Sequence, residues 1–265
     1  MGKSLPALRG VELLILGGCL LFGCSRGGVD RVEWPTMGTV AAVQYRGDST
    51  GARPGCEAVR AVFDKVDSLL SAYDPSSELS RLAALGDAEV LAKCDPLVRP
   101  CYEAAFRLRD ETEGLFNPRW KGPGTMDLGA IAKGFAVDLA VREAKISSDA
   151  LIDLGGNLKA ACGDWRVGVL SCEGVESCAT AETLTLKPGE ACATSAEYYR
   201  GKHIKDGRTG GDIDSKVKSV TVVHPTSAML ADGLSTVMFL MGRARGERFL
   251  RERYPEAKVI WINER

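Results

Sequence analysis

Hydrophobic periodicity changes character once along this chain, and that change limits the folds open to it. After Pro54 the residues Val59, Val62, Phe63, Val66, Leu69 and Leu70 recur at intervals of three and four, the spacing of an amphipathic helix. The pattern stops at Ser71-Ala72-Tyr73-Asp74-Pro75, because proline has no N–H to continue a helix. Residues 97–112 and 131–144 read as two further helices, the first closed by Gly114. From Ala150 onward the pattern shortens to β-like runs at 150–154, 165–170, 183–186, 191–199 and 217–223. Helices follow at 228–241 and 245–253, with a closing strand at 258–262. Residues 32–45 read as one strand ending in the turn Arg46-Gly47-Asp48. Helices and strands do not alternate regularly, so a doubly wound parallel sheet is excluded. The expectation is an α+β domain with mixed or antiparallel sheets and packed helices over 32–265.

The first 23 residues are expected to stand outside that domain. Lys3 and Arg9 precede an apolar run, 11–23, with the proportions of an export signal and too short to cross a bilayer comfortably. It ends in Leu21-Phe22-Gly23-Cys24-Ser25, which resembles a bacterial lipobox, with Cys24 as the lipidated residue. Leu16-Gly17-Gly18-Cys19 is a second candidate, but cleavage there would leave apolar residues at the new terminus. The reading is a signal peptide over 1–23, a tether over 24–31, and a domain held by a lipid on the extracytoplasmic face of a bacterial envelope. Without 1–23 the chain carries 32 basic and 34 acidic side chains, a net charge of −2. No basic surplus exists to neutralise a phosphate backbone, so nucleic acid is excluded as a partner. Seven cysteines then remain besides Cys24, an odd number that allows up to three disulfides in an oxidising compartment. Cys94 with Cys101 and Cys172 with Cys178 are the near neighbours.

Four clusters carry chemistry. Asp127-Leu128-Gly129-Ala130-Ile131-Ala132-Lys133-Gly134 puts small residues and a cation at the mouth of a predicted helix, where backbone N–H groups can hold an anion and Asp127 can bind a ligand or cap the helix. Asp232, Ser235 and Thr236 stand at i, i+3 and i+4 on an otherwise apolar helix. Such oxygens are costly to bury unless a hard cation such as Mg²⁺, or back-bonding to the helix, satisfies them. Leu154-Gly155-Gly156-Asn157 and Ala193-Thr194-Ser195 end or interrupt strands, which permits close backbone approach to a ligand or simply a bulge. In His203-Ile204-Lys205-Asp206-Gly207-Arg208-Thr209-Gly210 a base and its orienter, or a plain hairpin turn, fit equally well.

In this order, and joined by Thr36-Met37-Gly38-Thr39, by Leu70 through Arg81, by Phe135-Ala136-Val137-Asp138 and by Ser219-Val220-Thr221-Val222, these clusters resemble the ApbE family, the FAD:protein FMN transferases. The resemblance implies an α+β fold holding FAD, as substrate, and Mg²⁺ in one cleft. It implies that Met37, Tyr73, Leu115, Phe116, Asn117, Asp127, Lys133 and Lys205 bind the flavin dinucleotide, and that Asp232, Ser235 or its backbone, Thr236 and the carbonyl of Ala130 hold the metal. His203 matches the family's candidate base, acting with Asp232 in catalysis. The implied partner is a flavin-acceptor protein such as a membrane redox subunit. Attack by water instead would make the same site an FAD pyrophosphatase, and loss of turnover would leave a flavin-binding lipoprotein. The chain departs from the family pattern in three places: only Pro118 to Met126 separate Asn117 from Asp127, where an insertion is usual; Asn117 replaces an Asp; and Gly207 replaces a Pro.

The N-terminal reading makes a prediction. Cys24→Ala is expected to abolish incorporation of labelled fatty acid in a bacterial host and Cys19→Ala to leave it intact; the reverse pattern would move the lipid to Cys19.

Overall fold

The computed structural model describes residues 19–21, 28–47, 49–144, 146, 149–174, 177–197, 203–213 and 215–263. A short strand, β1 (Cys19–Leu21), is followed by the hairpin β2 (Val29–Thr36) and β3 (Thr39–Arg46). The helices α1 (Ser49–Leu70), α2 (Glu78–Leu82), α3 (Asp87–Lys93), α4 (Arg99–Glu111) and α5 (Ala132–Glu143) come next. Then follow β4 (Asp149–Leu154), β5 (Asn157–Cys162), β6 (Trp165–Gly174), β7 (Ser177–Leu186), β8 (Ala191–Ala196), β9 (Val217–His224), α6 (Ala228–Arg253) and β10 (Lys258–Asn263). Seven strands form one sheet in the order β10-β9-β8-β5-β4-β3-β2, every neighbouring pair antiparallel, and β1-β6-β7 form a smaller antiparallel sheet. The α+β expectation holds.

The large sheet is covered on both faces. Successive side chains of a strand point to opposite faces, and β4 shows the consequence. Ile152 and Leu154 join the main core with Val59, Phe63 and Val66 of α1 and Phe135, Val137 and Leu139 of α5. Leu151 joins Leu158, Trp165, Val167 and Leu186 in a second core beneath the small sheet. No helix among the described residues is long and apolar enough to cross a membrane.

Several expectations are corrected. Residues 32–45 are not one strand but parts of two, joined by Met37-Gly38, both at positive φ (48° and 67°). A two-residue turn of that hand suits a hairpin's twist, yet it is normally signalled by Asn-Gly or Asp-Gly, so Met-Gly gave no warning. The strand β5 and the short helices α2 and α3 carry no clear periodicity signal, and β6 and β7 are longer than expected. The predicted run 191–199 ends as a strand at Ala196, and 198–202 lie outside the described residues. Helices expected over 228–241 and 245–253 form one element broken at Gly242, where φ is 69°. In the full chain Cys19–Leu21, inside the expected signal peptide, pairs antiparallel with β6. Cys172 and Cys178 are disulfide-bonded, facing each other across β6 and β7. Cys94 and Cys101 are not: each is a buried thiol, one at the end of α3 and the other inside α4.

The contact that positions the site joins α5 to α6. Asp138, on α5, receives Ser227 Oγ (2.8 Å) and the backbone N–H groups of Ala228 (2.8 Å) and Met229 (3.0 Å), so its carboxylate caps the start of α6. Lys159 of β5 ties this cap to the sheet through Asp138 (2.7 Å) and the Thr226 carbonyl (2.6 Å). In return Asp232, on α6, accepts the N–H of Gly134 in the first turn of α5 at 3.0 Å. The two helix starts cap each other. Gly134 has no alternative there, since a Cβ would lie 2.2 Å from the Ala228 carbonyl oxygen and 2.8 Å from Asp232 Cβ. Gly134→Ala is therefore expected to lower stability by at least about 2 kcal/mol, read as a fall in the urea midpoint; an unchanged midpoint would mean that the helices are not in this contact.

Candidate active site

The same ends of four neighbouring strands meet the α5–α6 junction. Thr194 and Ser195 close β8, Asn157 opens β5, Gly155 turns the chain out of β4, and Thr39 opens β3. These residues line a cleft of about 700 Å³ together with Ala130, Lys133, Asp232 and Thr236, with Leu115, Phe116, Asn117, Trp120, Lys121 and Asp127, with His203 and Lys205, and with Tyr73. Of the residues to which the family resemblance gives a binding, metal or catalytic role, Met37 and Ser235 alone are not on the wall. Met37 is part-buried against the main core. Ser235 is fully buried, its hydroxyl donating to the Asp232 carbonyl (2.8 Å) and meeting Ser195 Oγ (2.8 Å). The i, i+3, i+4 pattern is thus split: Asp232 and Thr236 face the cleft, while Ser235 back-bonds to its own helix. Thr236 Oγ1 and Ser195 Oγ are 3.2 Å apart.

Charge is concentrated at this end. Asp232 Oδ2 lies 3.6 Å from Lys133 Nζ and accepts Gly134 N, whereas Oδ1 has no hydrogen-bond partner among the described residues. Burial pushes the Asp232 carboxyl upward, opposed by the Lys133 ammonium and the Gly134 N–H. The helix mouth is less open than expected. Ile131 and Ala132 both donate to the Leu128 carbonyl (2.9 and 2.8 Å), and Gly134 is taken by Asp232. Attraction for an anion therefore comes from Lys133, not from a nest of free N–H groups. Asp127 does not cap α5: its Oδ1 accepts Gly129 N and its Oδ2 accepts Lys121 Nζ, both at 2.9 Å.

The remaining wall comes from two segments that hold each other. Gly207 donates to the Leu115 carbonyl (2.9 Å) and Asn117 Nδ2 donates to the Gly207 carbonyl (2.9 Å), while Asn117 Oδ1 accepts Arg119 N. A carboxylate at 117 could not make the donating bond, and a Cβ at 207 would lie 2.4 Å from Asn117 Cβ. The two departures at 117 and 207 thus meet in space. Asp206 is not an orienter for His203. It grips Arg208 through Arg208 N and Nε (both 2.9 Å), and that guanidinium holds its carboxyl below the usual range. The Asp206 carbonyl accepts Gly210 N at 2.7 Å, so the turn reading of this segment stands. Lys205 is ion-paired with Asp212. His203 is exposed on the wall, and Tyr73, 90% exposed, is the one large hydrophobic side chain so exposed among the described residues. Trp120 and Lys121 escaped the sequence reading, because a Trp-Lys pair in a short turn-rich stretch carries no periodicity or spacing signal.

The family model for the ApbE family matches residues 37–122 and 119–261. The chain belongs to the ApbE family. The two ApbE matches overlap at 119–122, inside the nine-residue stretch from Pro118 to Met126. A Vibrio cholerae protein named FAD:protein FMN transferase is 28% identical over 86% of this chain and 86% of its own length. A Klebsiella pneumoniae protein of the same name is 36% identical, over 48% of this chain and 42% of the relative. The crystal structure of the flavinyl transferase ApbE of Pseudomonas stutzeri superposes with a TM-score of 0.73 at 21% identity, over 92% of this chain and 93% of that one. The fold described above is therefore the ApbE fold.

Behind the wall, Asp153 steadies the β4–β5 turn by accepting Gly156 N at 2.9 Å. Burial outweighs that bond and pushes its carboxyl up to about 6. An unfolded Asp titrates near ~3.9, so the native state holds the extra proton between the two values, and stability falls as pH rises through that window. Asp153→Asn is expected to make the fall between about pH 4 and 6 shallower in urea titrations; an unchanged slope would place the proton elsewhere.

Proposed function

We propose that this protein transfers FMN from FAD to a Thr or Ser hydroxyl of an acceptor protein and releases AMP. The observation that carries the reading is that Lys133, Asp232 and Thr236 share one cleft with Tyr73, Phe116 and His203, in a chain of the ApbE family. The relatives' names, given above, supply the chemistry.

The donor set fits Mg²⁺. Asp232 has a carboxylate oxygen without a partner among the described residues, Thr236 a hydroxyl and Ala130 a backbone carbonyl, all oxygen and few enough to leave room for water and phosphate. No group of three or more His, Cys, Asp and Glu comes together among the described residues, which suits a site completed by the ligand. Bound there, Mg²⁺ supplies positive charge to the diphosphate. The Lys133 ammonium stabilises the negative charge that gathers on the departing AMP, and its bond to the Gly129 carbonyl holds it in place. The acceptor hydroxyl oxygen forms the new bond to the FMN phosphorus, the P–O bond to AMP breaks, and His203 takes the hydroxyl proton. Catalysis is then mainly positioning and electrostatics. Because His203 is exposed, water can also reach that position, which favours FAD pyrophosphatase activity as a second reading. The apolar run 11–23 and the lipobox-like Leu21-Phe22-Gly23-Cys24-Ser25 support a signal peptide over 1–23 and a domain lipid-anchored at Cys24, with the acceptor a membrane redox subunit on the same face.

Incubation with FAD, Mg²⁺ and a candidate acceptor domain is expected to add one FMN to the acceptor by intact mass. Asp232→Ala should reduce the rate by roughly 100-fold or more. Free FMN and AMP without an adduct would decide for the pyrophosphatase, and FAD retention with no AMP for a flavin-binding protein.

A further inference from the structure

Asn157 stands at the start of β5 on the cleft wall and is 3% exposed. Its amide is fixed at one end. Nδ2 donates to the Leu154 carbonyl at 3.0 Å, and since a carbonyl can only accept, the atom facing Leu154 must be the nitrogen. The other end, Oδ1, is buried and has no partner among the described residues. Among the described residues it is the one such orphaned side-chain atom on a residue that lines the cleft.

The turn that presents Asn157 is built without slack. Gly155 and Gly156 both sit at positive φ (59° and 86°), and a Cβ at Gly155 would lie 2.6 Å from Thr39 Oγ1. Gly156 N is held by Asp153. Other polar side chains on the wall already have partners: Asp127 with Lys121, Lys205 with Asp212, Thr194 with Thr221, Asn117 with Gly207. An unpaired buried acceptor is costly, and a ligand that supplies the missing donor gains the whole bond instead of exchanging it with water.

We propose that Asn157 Oδ1 is a specificity-determining acceptor that reads an uncharged N–H or O–H donor of the bound dinucleotide once the ligand is fully seated. An acceptor oxygen repels phosphate oxygens, so the donor belongs to one of the two nucleoside halves, the flavin with its ribityl chain or the adenosine, and not to the diphosphate. This rests on the flavin reading given above.

The test is binding, not turnover. FAD, and separately riboflavin and adenosine as its uncharged halves, are titrated against wild type, Asn157→Ala and Asn157→Asp, with the melting temperature of each ligand-free protein as control. Asp keeps an acceptor but cannot donate to Leu154, so it separates ligand contact from turn stability. The expected result is that Asn157→Ala weakens FAD about ten-fold or more and weakens one half in parallel, while Asn157→Asp recovers most of that half's affinity. Riboflavin recovery assigns the donor to the flavin, and adenosine recovery assigns it to the adenylate. An Asn157→Ala dissociation constant within about two-fold of wild type, or an Asp variant as weak as the Ala variant for both halves, overturns the assignment of Asn157 and leaves the flavin reading standing. If Asn157→Ala fails to fold, the Asp variant decides by the same comparison with wild type. Wild-type protein that binds no FAD overturns both.

Discussion

Two carboxylates exchanged between two helices hold the site together. Asp138 of α5 caps the start of α6, and Asp232 of α6 accepts a first-turn N–H of α5. Each helix start presents backbone donors that lack partners within the helix, and each is served by an acid from its neighbour. The arrangement requires close approach, which Gly134 permits, and an anchor to the sheet, which Lys159 provides. Its functional consequence is that Asp232 cannot drift. One of its oxygens is committed to α5 and to Lys133, and the other is left for a partner in the cleft.

The cleft joins this rigid junction to parts of different character. Strand ends and tight turns form its floor, and their glycines are dictated by space: a side chain at Gly155 would meet Thr39. Its remaining wall consists of two segments without regular structure, 114–122 and 203–212, that hold one another through Asn117 and Gly207. Arg119 fastens the first of these to the helical layer by donating to the carbonyls of Ala83 and Leu85 and pairing with Asp87. Side-chain hydrogen bonds thus hold this short, irregular stretch in place on the cleft wall.

Much of this was legible in order along the chain. The amphipathic spacing of α1, the boundaries of α4 and α5, the break in the last helix and the α+β class all follow from periodicity, and most residues picked for chemistry do line one cleft. The failures share a cause. Met37-Gly38 forms a hairpin turn without the usual turn residues, Ser235 turns away from the face it shares with Asp232 and Thr236, and Asp206 serves Arg208 instead of His203. In each case local pattern left several partners open, and the choice fell to a neighbour that the pattern does not contain.

By itself, then, the sequence determined where the longer helices lie, where strands begin to dominate, that the chain carries no basic surplus, and most of the residues that line the cleft. Those properties depend on spacing and composition within short windows. Tertiary structure alone decided that Cys172 pairs with Cys178 while Cys94 and Cys101 remain thiols, that Asp138 and Asp232 cap each other's helices, and that Asn157 is left with an unpaired oxygen on the cleft wall. These are contacts between residues as many as 98 positions apart, as for Gly134 and Asp232. The long-range contacts among them are set by how sheet and helices pack, and no local window contains both partners.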